Sequence, residues 1–186
     1  MTDSDNRGRR DERRRKTDAL LASLTLPPEG ASPEEPPNTA DAYWMGAALS
    51  LAEAAAEEGE VPVGCVIVRG GRLLAADYNG RETFRDAVYH AETAAISEAC
   101  RKLGGWRLPG CTMYVTLEPC PMCAGAIWNA RLPRVVVGAK DPKAGALGSL
   151  LNLNAYPLNF HPSVVFGVRE AECRALLRAF FERKRK

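Results

Sequence analysis

Apolar positions recur at helical spacing from Trp44 onward. Ala47, Ala48, Leu51 and Ala55 share one face, Asp41 is placed to cap the helix and Gly59 to end it. Residues 61–68 form a short apolar run rich in β-branched side chains, which predicts a buried strand. Gly70-Gly71 predicts a tight hairpin into a second strand over 72–78, followed by a polar loop over 79–89. Helical periodicity resumes over 90–103 and stops at Gly104-Gly105. Residues 111–117 read as a third strand. Pro119 and Pro121 punctuate the turn after it, and Pro121 suits the first position of a helix running to Asn129. Beyond it the pattern predicts a fourth, fully apolar strand over 134–137 and a loop with one weak helical turn over 141–158. A fifth strand over 164–168 and a closing helix over 170–183 complete it. This alternation implies an α/β fold in which helices cover a sheet.

Residues 1–40 break the pattern. Residues 9–16 are a charge run and 27–37 are rich in Pro and Glu, which predicts a tail without stable structure, apart from a short helix around 19–26. The folded unit is therefore expected over 41–186. A chain of 186 residues with 46% hydrophobic content suits one domain with a real core. No apolar run reaches the roughly 18 residues of a membrane span, and the first residues lack a signal peptide's apolar stretch, so a cytoplasmic location is expected. The formal net charge of +2 does not itself announce a nucleic-acid partner. Arg174, Arg178, Arg183, Lys184, Arg185 and Lys186 crowd the C-terminus against Glu182 alone. Such a cluster either grips phosphates or complements a helix dipole.

Of the six cysteines, Cys65, Cys100 and Cys173 fall in strand or helix patterns and read as buried small residues, and only Cys120 and Cys123 have metal spacing. Two pieces carry the chemistry: His90-Ala91-Glu92, and Pro119-Cys120-Pro121-Met122-Cys123. Each falls at an expected helix N-terminus. Cysteines at i and i+3 of a helical turn face the same side and can meet one ion. His90 supplies a third ligand, and three protein ligands leave the fourth zinc position to water, the arrangement of a catalytic site. Such an ion brings the pKa of that water to about 7, and Glu92 is placed to move its proton. Read singly, each piece has a plainer meaning: a redox Cys-x-x-Cys, half of a structural zinc site, or a chance triplet.

His-x-Glu followed by Pro-Cys-x-x-Cys is the signature of the zinc nucleobase deaminases. Residues 41–186 resemble the bacterial tRNA-specific adenosine deaminases (TadA type) of the cytidine/deoxycytidylate deaminase superfamily. The likeness rests on the runs 59–64, 90–92, 114–120 and 122–127, then on 138–146 with Gly148-Ser149 and on Phe180-Phe181. It implies a three-layer α-β-α, cytidine-deaminase-like fold with a five-stranded mixed sheet. It also implies one Zn²⁺ per subunit on His90, Cys120 and Cys123, with Glu92 as the catalytic acid–base. The expected reaction is hydrolysis of adenosine to inosine at the first anticodon position of tRNA. The partners are then the tRNA anticodon stem-loop and a second copy in a homodimer. By the same resemblance Asn79 and Asp141 contact the substrate, Val63 lines the pocket and Phe181 stacks near a base. Without it, Asn79-Gly80 is a turn, Asp141 a cap, Val63 a core valine and Phe181 a core residue.

The chain departs from the family pattern at Ala87-Val88-Tyr89, where the family carries Pro-Thr-Ala before the zinc histidine, and at Trp128 and Phe160. These departures bear on substrate choice, not on the reaction type. Two alternatives therefore stand beside the leading one. One is a deaminase of guanine, of cytosine, or of adenine in single-stranded DNA. The other is a catalytically silent zinc-binding partner subunit. A basic groove drawn from Arg81, Arg85, Lys140, Lys143 and the C-terminal cluster would favour RNA.

Overall fold

The computed structural model describes residues 3–22 and 39–185. Five strands form one mixed sheet in the order β2-β1-β3-β4-β5. These are β1 (Gly64–Arg69), β2 (Arg72–Tyr78), β3 (Cys111–Leu117), β4 (Arg134–Ala139) and β5 (Ser163–Phe166). β1 runs antiparallel to both β2 and β3, whereas β3, β4 and β5 are mutually parallel. The helices are α1 (Asp3–Ala22), α2 (Thr39–Glu57), α3 (Arg81–Phe84), α4 (Ala91–Leu103), α5 (Pro121–Asn129) and α6 (Glu170–Lys184), with a 3₁₀ turn at Leu153–Ala155.

Strand alternation sorts the core into two layers. Cys65 and Ile67 of β1, Cys111, Met113 and Val115 of β3, and Val135 and Val137 of β4 pack with α4 and α5. Val66, Val68, Tyr114 and Val136 point the other way, toward α2 and α6. The result is the expected three-layer α-β-α sandwich. Gly70 and Gly71 both take positive φ (56° and 72°), as a tight hairpin between twisted strands requires.

Several boundaries differ from the sequence expectation, each for a local reason. β1 begins at Gly64 because Val63 N–H closes a tight turn onto Val61 O (2.8 Å) around Pro62. The loop over 79–89 contains the short helix α3. Asp41 lies inside the first turn of α2, not at the N-cap position, and its carboxylate accepts from Arg134 and Tyr114. The largest difference is α1: residues 3–22, expected as tail apart from a short helix around 19–26, form one helix that docks on α2 and β2, and residues 23–26 lie outside the described residues. The Pro- and Glu-rich stretch 27–37 lies outside the described residues. No helix among the described residues is long and apolar enough to cross a membrane.

Candidate active site

His90 takes extended backbone at the N-cap of α4, and Cys120 does the same for α5. Pro121 occupies the first position of α5, where a missing N–H costs nothing and a fixed φ favours the start. Cys120 and Cys123 then share one face of the first turn. Both helix N-termini open on the same side of the sheet, one after β2 and the other directly after β3. The loop before His90 is pinned too: His90 N–H donates to Thr93 Oγ1 (3.2 Å), whose hydroxyl donates to Val88 O (2.6 Å).

The three sequence-predicted ligands come together. His90 Nδ1 lies 3.5 Å from Cys123 Sγ and 3.8 Å from Cys120 Sγ, and all three ligand atoms fall within 4.8 Å of one another. Zinc bonds of about 2.1 Å to nitrogen and 2.3 Å to sulfur at tetrahedral angles put ligand atoms roughly 3.5–4 Å apart. The donor set therefore fits zinc in both chemistry and spacing. Hydrogen bonds from Cys123 and His90 hold the Cys120 thiol down at about 4. The hydrogen bond to Cys120 in turn raises His90 and, with burial, Cys123. His161 is exposed and takes no part in the cluster. All six cysteines are free thiols.

Glu92, two residues past the ligand, is 4% exposed, and burial pushes its carboxyl above the ordinary range. It lines, with His90 and Cys120, a cavity of about 150 Å³ walled by Val61, Val63, Leu117 and Ala144, with Asn79, Arg81 and Asp141 also lining it. That is smaller than the roughly 300–1,000 Å³ of pockets for drug-sized ligands and suits one planar heterocycle.

Two buried carboxylates that sequence reasoning missed hold this rim. Glu60, 1% exposed, accepts Asn79 Nδ2 (3.2 Å) and Thr83 N–H (2.7 Å), which fixes the Asn79 amide. Glu118, 2% exposed, accepts the N–H groups of Asp141 (3.1 Å), Leu147 (3.0 Å) and Ser149 (3.0 Å) and the Ser149 hydroxyl. It thereby folds the whole 141–149 loop around one side chain. The loop allows this only because residue 145 is glycine, since a Cβ there would lie 2.4 Å from the Glu118 carboxyl carbon. The one available signal was at Glu118, an acid set between Leu117 and Pro119.

Asp141 combines both of its readings. Its Oδ1 accepts Lys143 N–H (2.9 Å) and Ala144 N–H (3.2 Å) as a turn cap, and the residue also lines the cavity. Phe181 is exposed and meets the buried Phe180 edge-on. Arg81, Arg85, Lys140 and Lys143 are exposed, and Arg81 and Lys143 lie beside the rim. The departures have structural partners. Trp128 Nε1–H donates to Phe160 O (2.6 Å), and the Arg131 guanidinium lies over both rings. Tyr89 donates its hydroxyl to Asp77 Oδ2 (3.0 Å).

Residues 38–139 match the model of the cytidine and deoxycytidylate deaminase zinc-binding region. The tRNA-specific adenosine deaminase of Bacillus subtilis (strain 168) is 50% identical over 149 residues, which is 80% of this chain and 92% of that protein. The protein of that name from Agrobacterium fabrum is 46% identical over 144 residues, 77% of this chain and 95% of its own length. A structure from studies of A-to-I editing by tRNA deaminases at the wobble position aligns with a TM-score of 0.70 at 44% identity, covering 72% of this chain and 98% of that one. A guanine deaminase from Nitrosomonas europaea aligns with a TM-score of 0.65 at 27% identity, covering 87% of this chain and 91% of its own.

Proposed function

This chain belongs to the cytidine and deoxycytidylate deaminase family, and from that premise we propose that it hydrolyses adenosine to inosine at the first anticodon position of tRNA. The observation that carries the reading is the clustering of His90, Cys120 and Cys123 beside buried Glu92 in a cavity of single-base size. The 50% identity with a tRNA-specific adenosine deaminase supports the substrate.

In this reading residues 41–186 are the deaminase domain, and His90, Cys120 and Cys123 hold one Zn²⁺. Bound there, zinc supplies Lewis-acid activation of a water molecule. The flipped base enters the cavity, where Asn79 and Asp141 fix its orientation. Glu92 is the acid–base group. It takes a proton from the attacking water and delivers it to the ring nitrogen next to C6, while the water oxygen bonds to C6. It then carries the second proton to the exocyclic amine, the C6–N bond breaks, and ammonia leaves. Burial of Glu92 suits the first half of this cycle, because a carboxylate whose pKa is raised is the stronger base toward the attacking water. Apolar walls from Val61, Val63 and Leu117 keep bulk water from the reacting carbon.

The finer partners follow from the same reading: an anticodon stem-loop across Arg81, Arg85 and Lys143, a second copy in a homodimer, and a cytoplasmic site of action. The test is an inosine assay on zinc-loaded protein, offered a stem-loop with adenosine at its first anticodon position, matched single-stranded DNA and free guanine. Inosine in the RNA alone is the expected result. Turnover of DNA or guanine in its place would keep the reaction and overturn the substrate.

A further inference from the structure

Arg13 is the most buried of the described side chains of α1, at 4% exposure. Arginine is almost never buried so deeply unless its charge and its donors are matched. Here the match is with the exit of β2. Nε donates to Asp77 Oδ1 (3.1 Å), Nη1 lies 3.5 Å from Glu58 Oε2, and Nη2 reaches the backbone carbonyls of Tyr78 and Asn79. The guanidinium carbon also stands 3.5 Å from the centre of the Tyr78 ring. Asn79 is the residue whose side chain lines the cavity. One planar fork thus ties its main chain to the residue before it and to the half-buried carboxylate of Asp77.

The far end of the same loop is held by the same helix. Arg10 pairs with Asp86 (3.8 Å) and its guanidinium lies over the rings of Phe84 and Tyr89. Tyr89, adjacent to His90, returns its hydroxyl to Asp77, the carboxylate that Arg13 grips by its other oxygen. Gly80 has no room for a side chain: a Cβ there would lie 2.7 Å from Arg13 Nη1 and 2.8 Å from the Phe84 ring. α1 precedes the matched family region, which starts at residue 38. Tyr89, which joins α1 through Asp77, is one of the positions where this chain departs from the pattern it resembles.

We propose that α1 is a strap over the 79–90 loop, with Arg13 as a positioning residue that fixes Asn79 for the base. The proposal rests on the deaminase reading for what Asn79 contacts, but not for the strap itself. Arg13 touches no reacting atom. It acts through the Tyr78 and Asn79 carbonyls, and without it the Asn79 end of the loop rests on Asn79 N–H to Val63 O (2.9 Å), on the Glu60 bonds to Asn79 and Thr83, and on Gly80 N–H to Tyr89 O (3.3 Å).

The test compares full-length, zinc-loaded wild-type protein with Arg13→Ala and Arg13→Lys. The readouts are zinc content, thermal midpoint, amide hydrogen exchange over 79–90, and kcat and KM on the anticodon stem-loop. Arg13→Ala is expected to keep its zinc, to exchange the 79–90 amides at least about tenfold faster, and to lose about 10- to 100-fold in kcat/KM. The loss should fall mainly on KM, because Arg13 touches neither Glu92 nor the zinc ligands. Arg13→Lys restores the charge without the fork and should recover only part of the loss. Unchanged exchange over 79–90 would overturn the strap. Faster exchange with unchanged kcat/KM would overturn the positioning role, and so would a loss explained by released zinc or a collapsed midpoint. If the wild-type protein makes no inosine from the stem-loop, the proposed substrate has failed, and the exchange measurement still decides whether α1 holds the loop.

Discussion

The carboxylate of Glu60 accepts the side-chain amide of Asn79 at 3.2 Å, 19 residues away in sequence. With Nδ2 committed to Glu60, the proposed reading leaves the Asn79 amide oxygen as the acceptor for a base N–H group. Glu60→Gln replaces one acceptor oxygen with a donor, which favours the flipped amide and offers the base the wrong group. A fall in kcat/KM of about 10- to 100-fold is expected, the worth of one hydrogen bond to a charged group. Asn79→Ala should cost a similar amount, and the double variant little more than either. Additive losses in that cycle would separate the two residues.

Glu92→Gln isolates proton transfer from metal binding. The side chain keeps its volume and its buried place but can no longer take a proton. Inosine formation should fall by at least about 10²–10⁴-fold, the usual worth of a positioned acid–base group. Zinc measured by atomic absorption should stay at one per chain. A silent partner subunit would give equal readings for variant and wild type.

What the sequence made legible divides along physical lines. β3 and α5 fall at Cys111–Leu117 and Pro121–Asn129, as read, because apolar alternation ends at a proline pair whose backbone allows little else. The zinc cluster was legible because few residue types bind the metal and the i, i+3 spacing of Cys120 and Cys123 survives folding unchanged. Glu60 and Glu118 were not, because their partners lie 19 to 31 residues away and are mostly backbone N–H groups, which leave no mark in a pattern of side chains. α1 was missed for a related reason. Its charge-rich sequence lacks an apolar stripe, and apart from Leu20 and Leu21 it is held by Arg13, Arg10, Lys16 and Arg14 on acids of the body.

Glu118 is expected to govern the 141–149 loop and not the metal. Glu118→Ala strips the partners from three backbone N–H groups at once, and each buried donor left unsatisfied costs about 1–3 kcal/mol. Part of this is recovered as the loop opens to water, so a net loss of roughly 2–4 kcal/mol is expected. Limited proteolysis should then cut between residues 141 and 150, where the wild type resists. Resistance equal to wild type would mean that the loop holds itself.

Arg134 and Asp41 provide a test of stability apart from chemistry. The guanidinium forks onto the carboxylate at 2.9 and 2.8 Å, and Tyr114 adds its hydroxyl at 3.0 Å. Asp41 is 1% exposed, so removing Arg134 takes the counter-charge from a buried carboxylate. Arg134→Ala should cost about 3–5 kcal/mol, a drop in thermal midpoint of roughly 6–20 °C for a chain of this size. Tyr114→Phe removes one hydrogen bond and should cost about 1 kcal/mol. Asp41→Ala combined with Arg134→Ala should cost well under the sum of the two, because both changes remove the same ion pair. The pair joins α2 to the start of β4, whereas the active-site loop leaves from the other end of that strand, beyond Ala139. Specific activity per folded molecule should therefore stay near wild type below the melting range, and a proportional loss of kcat would show that this end of the sheet reaches the site.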